Sequence, residues 1–271
     1  MKQLDINEIH DVTLDLMDRV HEICEKNGIK YYIMYGTLIG AIRHRGFIPW
    51  DDDFDICMMR DDYEKFINIV NKMNDARYKI ASRANTKNYY NGIARFYDAN
   101  YEYRTKLNTL QYELGVFIDV YPLDPCADSV METKKVYDSV KKLDAAFIIY
   151  CTKKSLSDSR KNIVRIPFHY YLRFRYGKKF PQKIDVMIKQ KIYNVFSNDS
   201  KYVAVYWENR KDFRMFERAW FDKRMLFDFE DRKYWIPKEY DKILRLYYGD
   251  YMTLPPEKER VPTHDYAIYR K

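Results

Sequence analysis

The chain is poor in residues that punctuate structure. Its 271 residues include 8 glycines and 9 prolines, so composition marks no linker and no sharp domain boundary. Four cysteines, Cys24, Cys57, Cys126 and Cys151, lie far apart and form no Cys-x-x-Cys. That spacing argues against a zinc site or a disulfide framework and fits a reduced, cytoplasmic protein. No stretch approaches the roughly 18 uninterrupted apolar residues of a membrane span; the longest candidate, 31–42, is interrupted by Gly36 and Gly40. The opening Met-Lys-Gln-Leu-Asp-Ile-Asn-Glu lacks an apolar signal core. Repeats and low-complexity tracts are also missing. What remains is 46% hydrophobic, enough for the sizeable core of an ordinary globular chain.

Charge is unevenly spread. Residues 1–130 carry a net −5 and residues 131–271 a net +13, making the chain's +8. Such asymmetry points to an anionic partner for the second half. No helix-turn-helix, zinc or RNA-binding signature occurs, so a glycan or membrane surface fits better than nucleic acid. The stretch 153–183 holds ten Lys or Arg against one acid, Asp158, interleaved with Ile163, Phe168, Tyr170, Tyr171 and Phe174. Two readings stay open: an interfacial helix on anionic lipid, or a solvated helix packed on the core by its aromatic side.

Negative charge clusters in Ile48-Pro49-Trp50-Asp51-Asp52-Asp53-Phe54-Asp55-Ile56. Packed carboxylates repel and are costly to bury. On a strand over 53–59, side chains alternate faces; Asp51, Asp53 and Asp55 then share one face and Asp52 takes the other. Asp53 and Asp55 form an Asp-x-Asp pair suited to Mg²⁺, with a solvated acidic turn as the plain alternative. Just upstream, 30–35 reads as a strand and Gly36-Thr37 opens a helix over 37–44. Its first N–H groups and the Thr37 hydroxyl are offered to an anion, and Arg43 can reach a phosphate. A phosphate cradle followed by an Asp-x-Asp strand suits metal-assisted chemistry on a nucleotide.

The block Tyr35–Phe66, with Gly-Thr-Leu-Ile-Gly-Ala-Ile-Arg-His-Arg-Gly-Phe-Ile-Pro-Trp-Asp-Asp-Asp-Phe-Asp, resembles the LicD family of phosphotransferases. Gly115-Val116-Phe117-Ile118-Asp119-Val120-Tyr121-Pro122-Leu123-Asp124 is similar to the family's second acidic strand. Tyr248-Gly249-Asp250-Tyr251-Met252-Thr253-Leu254-Pro255-Pro256, with Arg260 and His264 beyond, resembles its C-terminal signature. The resemblance implies a nucleotidyltransferase-type fold. It also implies transfer of phosphocholine or a related phospho-alcohol from CDP-choline or another CDP-alcohol to a glycan hydroxyl. Fukutin-related protein belongs to the same broad group.

On that resemblance Asp53, Asp55 and Asp119 hold Mg²⁺ or Mn²⁺, and Asp51 joins the catalytic acids. Asp119 either binds metal or accepts the acceptor's proton, its alternative being a capping or salt-bridged acid. Gly36, Thr37 and Arg43 hold donor phosphate. Arg95 stands where the family has a basic residue, and either touches the donor or makes a cross-strand ion pair. Trp50 anchors the acidic loop or stacks on the base; His44 is a base or a surface histidine. Arg260 and His264 match the pattern without a derivable role. Tyr89, Tyr90, Tyr101 and Tyr103 are candidates for a choline cage. The acceptor implied is a teichoic acid, capsule or lipopolysaccharide precursor, free or lipid-linked, reached from the inner face of the plasma membrane.

The remaining pattern places a helix over 5–27, stopped by Asn27-Gly28, and a helix capped by Asp61 or Asp62 that runs through Phe66, Ile67, Val70 and Met73. Strands are expected at 77–82, 91–98 and 115–121, and a helix over 131–151. This is an α+β chain: a nucleotidyltransferase-type mixed-sheet core over 1–130, then a largely helical, basic region over 131–271 that completes the site. Two other classes share parts of the pattern: a nucleotidyltransferase that releases pyrophosphate, and a non-catalytic membrane-surface adaptor.

Overall fold

Helix α1 (Ile6–Asn27) starts at Asp5, whose side chain accepts the Glu8 N–H while Glu8 reaches back to the Asp5 N–H. This capping box satisfies two end donors that would otherwise lack partners. The helix stops where expected, at Gly28, with φ 61°, a conformation glycine enters without strain. The computed structural model describes residues 1–105, 112–152, 162–208, 213–262 and 266–271.

The main sheet has strand order β1 (Tyr32–Ile33), β2 (Asp55–Met59), β6 (Val116–Cys126), β4 (Ala94–Asp98) and β3 (Tyr78–Ala81). Only β2 and β6 run parallel; the other neighbours are antiparallel. Strand β6 is the spine. Its first half is flanked by β2 and β4, and its far end pairs with β7 (Tyr202–Ala204), which pairs β8 (Phe216–Glu217). Strand β5 (Tyr101–Thr105) pairs β11 (Tyr266–Arg270), and β9 (Arg224–Phe229) forms a hairpin with β10 (Arg232–Pro237). The fold is α+β. Helices dominate the second half, with α4 (Val130–Cys151), α5 (Asn162–Tyr176), α6 (Phe180–Tyr193) and α7 (Tyr240–Tyr248), and short strands lie among them.

Two apolar cores support this arrangement. The larger joins α1 and the sheet to late residues such as Phe229, Tyr234 and Leu244. The second packs α4 on α6 through Phe147, Phe180, Ile184 and Ile188, with Leu172 of α5. Among the described residues no helix is long and apolar enough to cross a membrane.

Three local expectations differ from the structure. The first strand is short because Tyr35 takes φ 54° and opens helix α2 (Tyr35–Ile39), which runs on as a π-turn to His44. A bulky residue at positive φ is strained; burial and a hydrogen bond from its hydroxyl to Glu208 hold it there. Strand β2 starts at Asp55 rather than Asp53, so Asp51 and Asp53 lie on a loop. Helix α3 (Arg60–Met73) begins without a side-chain cap. Asp61 and Asp62 fall in its first turn, where they favour the helix dipole, and Asp62 instead accepts the Lys30 N–H.

Candidate active site

Strand register builds the site. Asp55 on β2 lies directly opposite Asp119 on β6, and Asp119 lies directly opposite Arg95 on β4. Residues in register share a sheet face, so acid, acid and arginine form a row across three strands. Arg95 Nε donates to Asp119 Oδ1 at 2.7 Å, and its guanidinium sits 4.1 Å from the Phe117 ring centre. Of the two roles open to Arg95, the cross-strand pair is the one observed.

Asp51, Asp53, Asp55 and Asp119 line one cleft of about 800 Å³, together with Gly36 and Arg95. Asp52 does not line it; its carbonyl accepts the Tyr266 hydroxyl at 2.6 Å. The alternation expected of a strand therefore survives along the loop. His10 Nε2 lies 2.7 Å from the Asp51 carbonyl, and the two bonds hold the loop from opposite ends of the sequence. Asp55 is 6% exposed, and its Oδ1 is buried without a hydrogen-bond partner. Burial raises its pKa well above the carboxylate range, and Asp53, Asp119 and Asp51 push the same way.

Such an oxygen needs a proton or a cation. Among the described residues no three acids, histidines or cysteines form a ready ligand group. Two adjacent carboxylates, one with a buried oxygen unmatched, nevertheless have the hard-oxygen chemistry of a divalent site, and on that ground they fit one.

Thr37 has a different task from the one expected. The residue is 3% exposed and its hydroxyl accepts the Asp55 N–H at 2.9 Å, so it is turned to the strand and not to the cleft. Thr37→Val keeps the shape and leaves that donor unmatched. It should cost about 1–3 kcal/mol of stability, read by urea unfolding; an unchanged midpoint would show that the N–H is satisfied elsewhere. Gly36 does border the cleft, where a Cβ would stand 2.6 Å from Asp51 Oδ2. Arg43 lies apart from the acids. Its Nη1 donates to the carbonyls of Tyr251 and Thr253, and its Nε to His44. Burial and neighbouring Arg43 lower the His44 pKa. Arg260 gains a role: it stacks over Trp50 at 5.9 Å and donates to Pro255 O, so Trp50 serves as an anchor. His264 lies outside the described residues.

The cleft holds residues that the sequence did not single out. Glu208 accepts the hydroxyls of Tyr35 and Tyr247. Lys141 and Asp144 enter from α4, and Tyr121, Trp207 and Tyr248 form walls. Burial lowers the Lys141 pKa, with Asp144 opposing. Of the four tyrosines considered for a cage, only Tyr90 borders the cleft; Tyr89 is in the core, and Tyr101 and Tyr103 lie on β5, paired beside β11.

Residues 28–147 match the family described as LicD/FKTN/FKRP, nucleotidyltransferase domain. Over that domain the chain is similar to the LicD family. It is 28% identical over 273 residues to the lipopolysaccharide cholinephosphotransferase LicD of Haemophilus influenzae (strain ATCC 51907 / DSM 11121 / KW20 / Rd), covering 99% of each chain. Shorter matches are to uncharacterized proteins of Rickettsia typhi (43% over 81 residues, 30% of this chain and 26% of that one) and Rickettsia prowazekii (44% over 66 residues, 24% and 25%). The matched domain begins before Gly36 and ends beyond Asp144, so it holds every cleft residue named above except Trp207, Glu208 and Tyr248.

Proposed function

We propose that this chain transfers phosphocholine, or a closely related phospho-alcohol, from a CDP-activated donor to a hydroxyl of a cell-surface glycan such as a lipopolysaccharide, capsule or teichoic acid precursor. The observation that carries the reading is the Asp55–Asp119 pair at the floor of the cleft. End-to-end similarity to a cholinephosphotransferase supports the choice of substrate.

Asp53, Asp55 and Asp119 are the residues that would hold Mg²⁺ or Mn²⁺. A divalent ion there would neutralise charge growing on the donor diphosphate as CMP leaves. Arg95 fixes the orientation of Asp119, and Thr37 fixes the start of β2 under Asp55. Lys141 is placed to meet phosphate oxygens. Tyr90, Tyr121, Trp207 and Tyr248, with Glu208 and Asp144 among them, offer the aromatic faces and negative charge that suit a quaternary ammonium. The four cysteines are free and buried, and burial raises the Cys126 and Cys151 thiols to about 12. Unreactive, unpaired thiols support a reducing compartment. We therefore place the enzyme in the cytoplasm, at the inner face of the plasma membrane.

The test is a panel of CDP-choline, CDP-ethanolamine, CDP-glycerol and CDP-ribitol with Mg²⁺ and a glycan acceptor. CMP should be released, fastest from CDP-choline. Pyrophosphate release from a nucleoside triphosphate instead would make the chain a nucleotidyltransferase, and no turnover with any donor would sink the reading.

A further inference from the structure

Helix α5 is inside out. Its apolar and aromatic side chains face solvent: Phe174 is 91% exposed, Ile163 78% and Val164 75%, with Tyr170 and Tyr171 more than half exposed. Positions 163, 167, 170, 171 and 174 recur at helical spacing, so they form one stripe. The opposite side carries Leu172, which joins the second core, and His169, whose Nδ1 lies 2.8 Å from Ile149 O on α4. The aromatic side is therefore not the side by which this helix packs. Arg173 and Arg175 flank the stripe, and Lys178 and Lys179 follow it, all exposed. No acid occurs from 162 to 184.

We propose that α5 is an interfacial helix that lays its Ile163–Phe174 stripe on an anionic lipid bilayer. At 15 residues, with Pro167 inside, it is too short to span and suited to lie in the headgroup layer. Tyrosines belong at that depth, where one end of the ring is apolar and the other wet. Charge of a single sign beside the stripe complements anionic headgroups, and this selects lipid over a protein partner. The helix packs on α4, which carries Lys141 and Asp144 into the cleft. Docking would hold the cleft near a lipid-linked acceptor. The lipid contact stands on the helix alone; its service to an acceptor rests on the transferase reading above.

The experiment is co-sedimentation of the full chain with vesicles of phosphatidylcholine mixed with phosphatidylglycerol, against phosphatidylcholine alone. Binding should need the anionic lipid and weaken in high salt. Phe174→Glu should lower vesicle affinity at least tenfold, and Arg173→Gln with Arg175→Gln should do the same. Because Phe174 is 91% exposed, the thermal midpoint of Phe174→Glu and its CMP release with a soluble acceptor should stay unchanged. Wild-type protein that ignores anionic vesicles, or Phe174→Glu that binds them equally well, overturns the proposal. So does a dimer split by Phe174→Glu without lipid binding, which would make the stripe a contact between copies. Lipid binding without CMP release would leave this inference standing and fail the transferase reading instead.

Discussion

Replacing Asp55 with alanine should reduce transfer roughly a thousandfold, the scale of the several kcal/mol that a metal-held phosphate supplies. The protein should nonetheless stay folded, and without divalent metal it should gain stability. Asp55 is buried among three other acids, and its pKa is raised in the folded chain. An acid so raised keeps its proton in the native state after the unfolded chain has lost it. The metal-free wild type must therefore lose stability as pH climbs from the ordinary carboxylate range through the raised pKa. Asp55→Ala should lack that slope. Thermal melts in a chelator across pH give one arm. Adding Mg²⁺ gives the other, because a ligand that binds only the folded chain raises its midpoint. Near-normal turnover by Asp55→Ala would end the assignment of this carboxylate to the chemistry. A matching loss in Asp52→Asn would mean that the loop presents its other face.

The second large effect is expected at Asp119. Asp119→Ala leaves the Arg95 guanidinium in place with its partner gone. Removing one member of a mostly buried pair costs on the order of 3–5 kcal/mol, and here the relief of Asp55 offsets a part. Asp119→Asn keeps an acceptor for Arg95 Nε and should fold better, which makes it the informative variant. Its register beside Asp55 leads to one expected outcome: titration calorimetry shows metal and CDP-choline binding lost together, and transfer falls at least a hundredfold. Donor binding that survives while transfer fails would move Asp119 to the acceptor's proton. Full activity would reduce it to a structural residue.

Much of the sheet was legible because its strands carry strong β-formers with few breakers. The expectations at 77–82, 91–98 and 115–121 fall on β3, β4 and β6. Strand β6 runs further than expected because Pro122 reads as a stop. The Asp119 N–H points to β2, so even-numbered positions point the other way, and β4 ends opposite Val120. No strand remains there to miss the proline's N–H. The β9–β10 hairpin went unread for the opposite reason. Its two-residue turn, Glu230-Asp231, has no glycine or asparagine, although Glu230 sits at φ 52°. Tertiary contacts hold it: the Glu230 carboxylate accepts the Phe47 N–H at 3.0 Å, and Gly46 leaves the room, since a Cβ there would stand 1.9 Å from Glu230 Oε1.

The site divides in the same way. Four acids in five residues, and one acid in an apolar strand, are patterns within a short window. Glu208, Lys141 and Trp207 each sit in ordinary local sequence and reach the cleft only through the packing of α4 and the loop after β7 on the sheet. Arg43 and Thr37 show the converse. Their types and spacing suit phosphate, but the hydroxyl and guanidinium are engaged by backbone groups in the folded chain.

The acidic loop is latched by His10 on α1 and Tyr266 on β11, and this bears on the order in which the protein matures. During synthesis Asp51, Asp53, Asp55 and Asp119 have all been made once residue 119 has emerged, yet the Tyr266 half of the latch is missing until β11 emerges and pairs with β5. A growing chain therefore carries these four acids well before their loop is latched on both sides. The acidic loop is gripped from both sides only when β11 joins α1 against it.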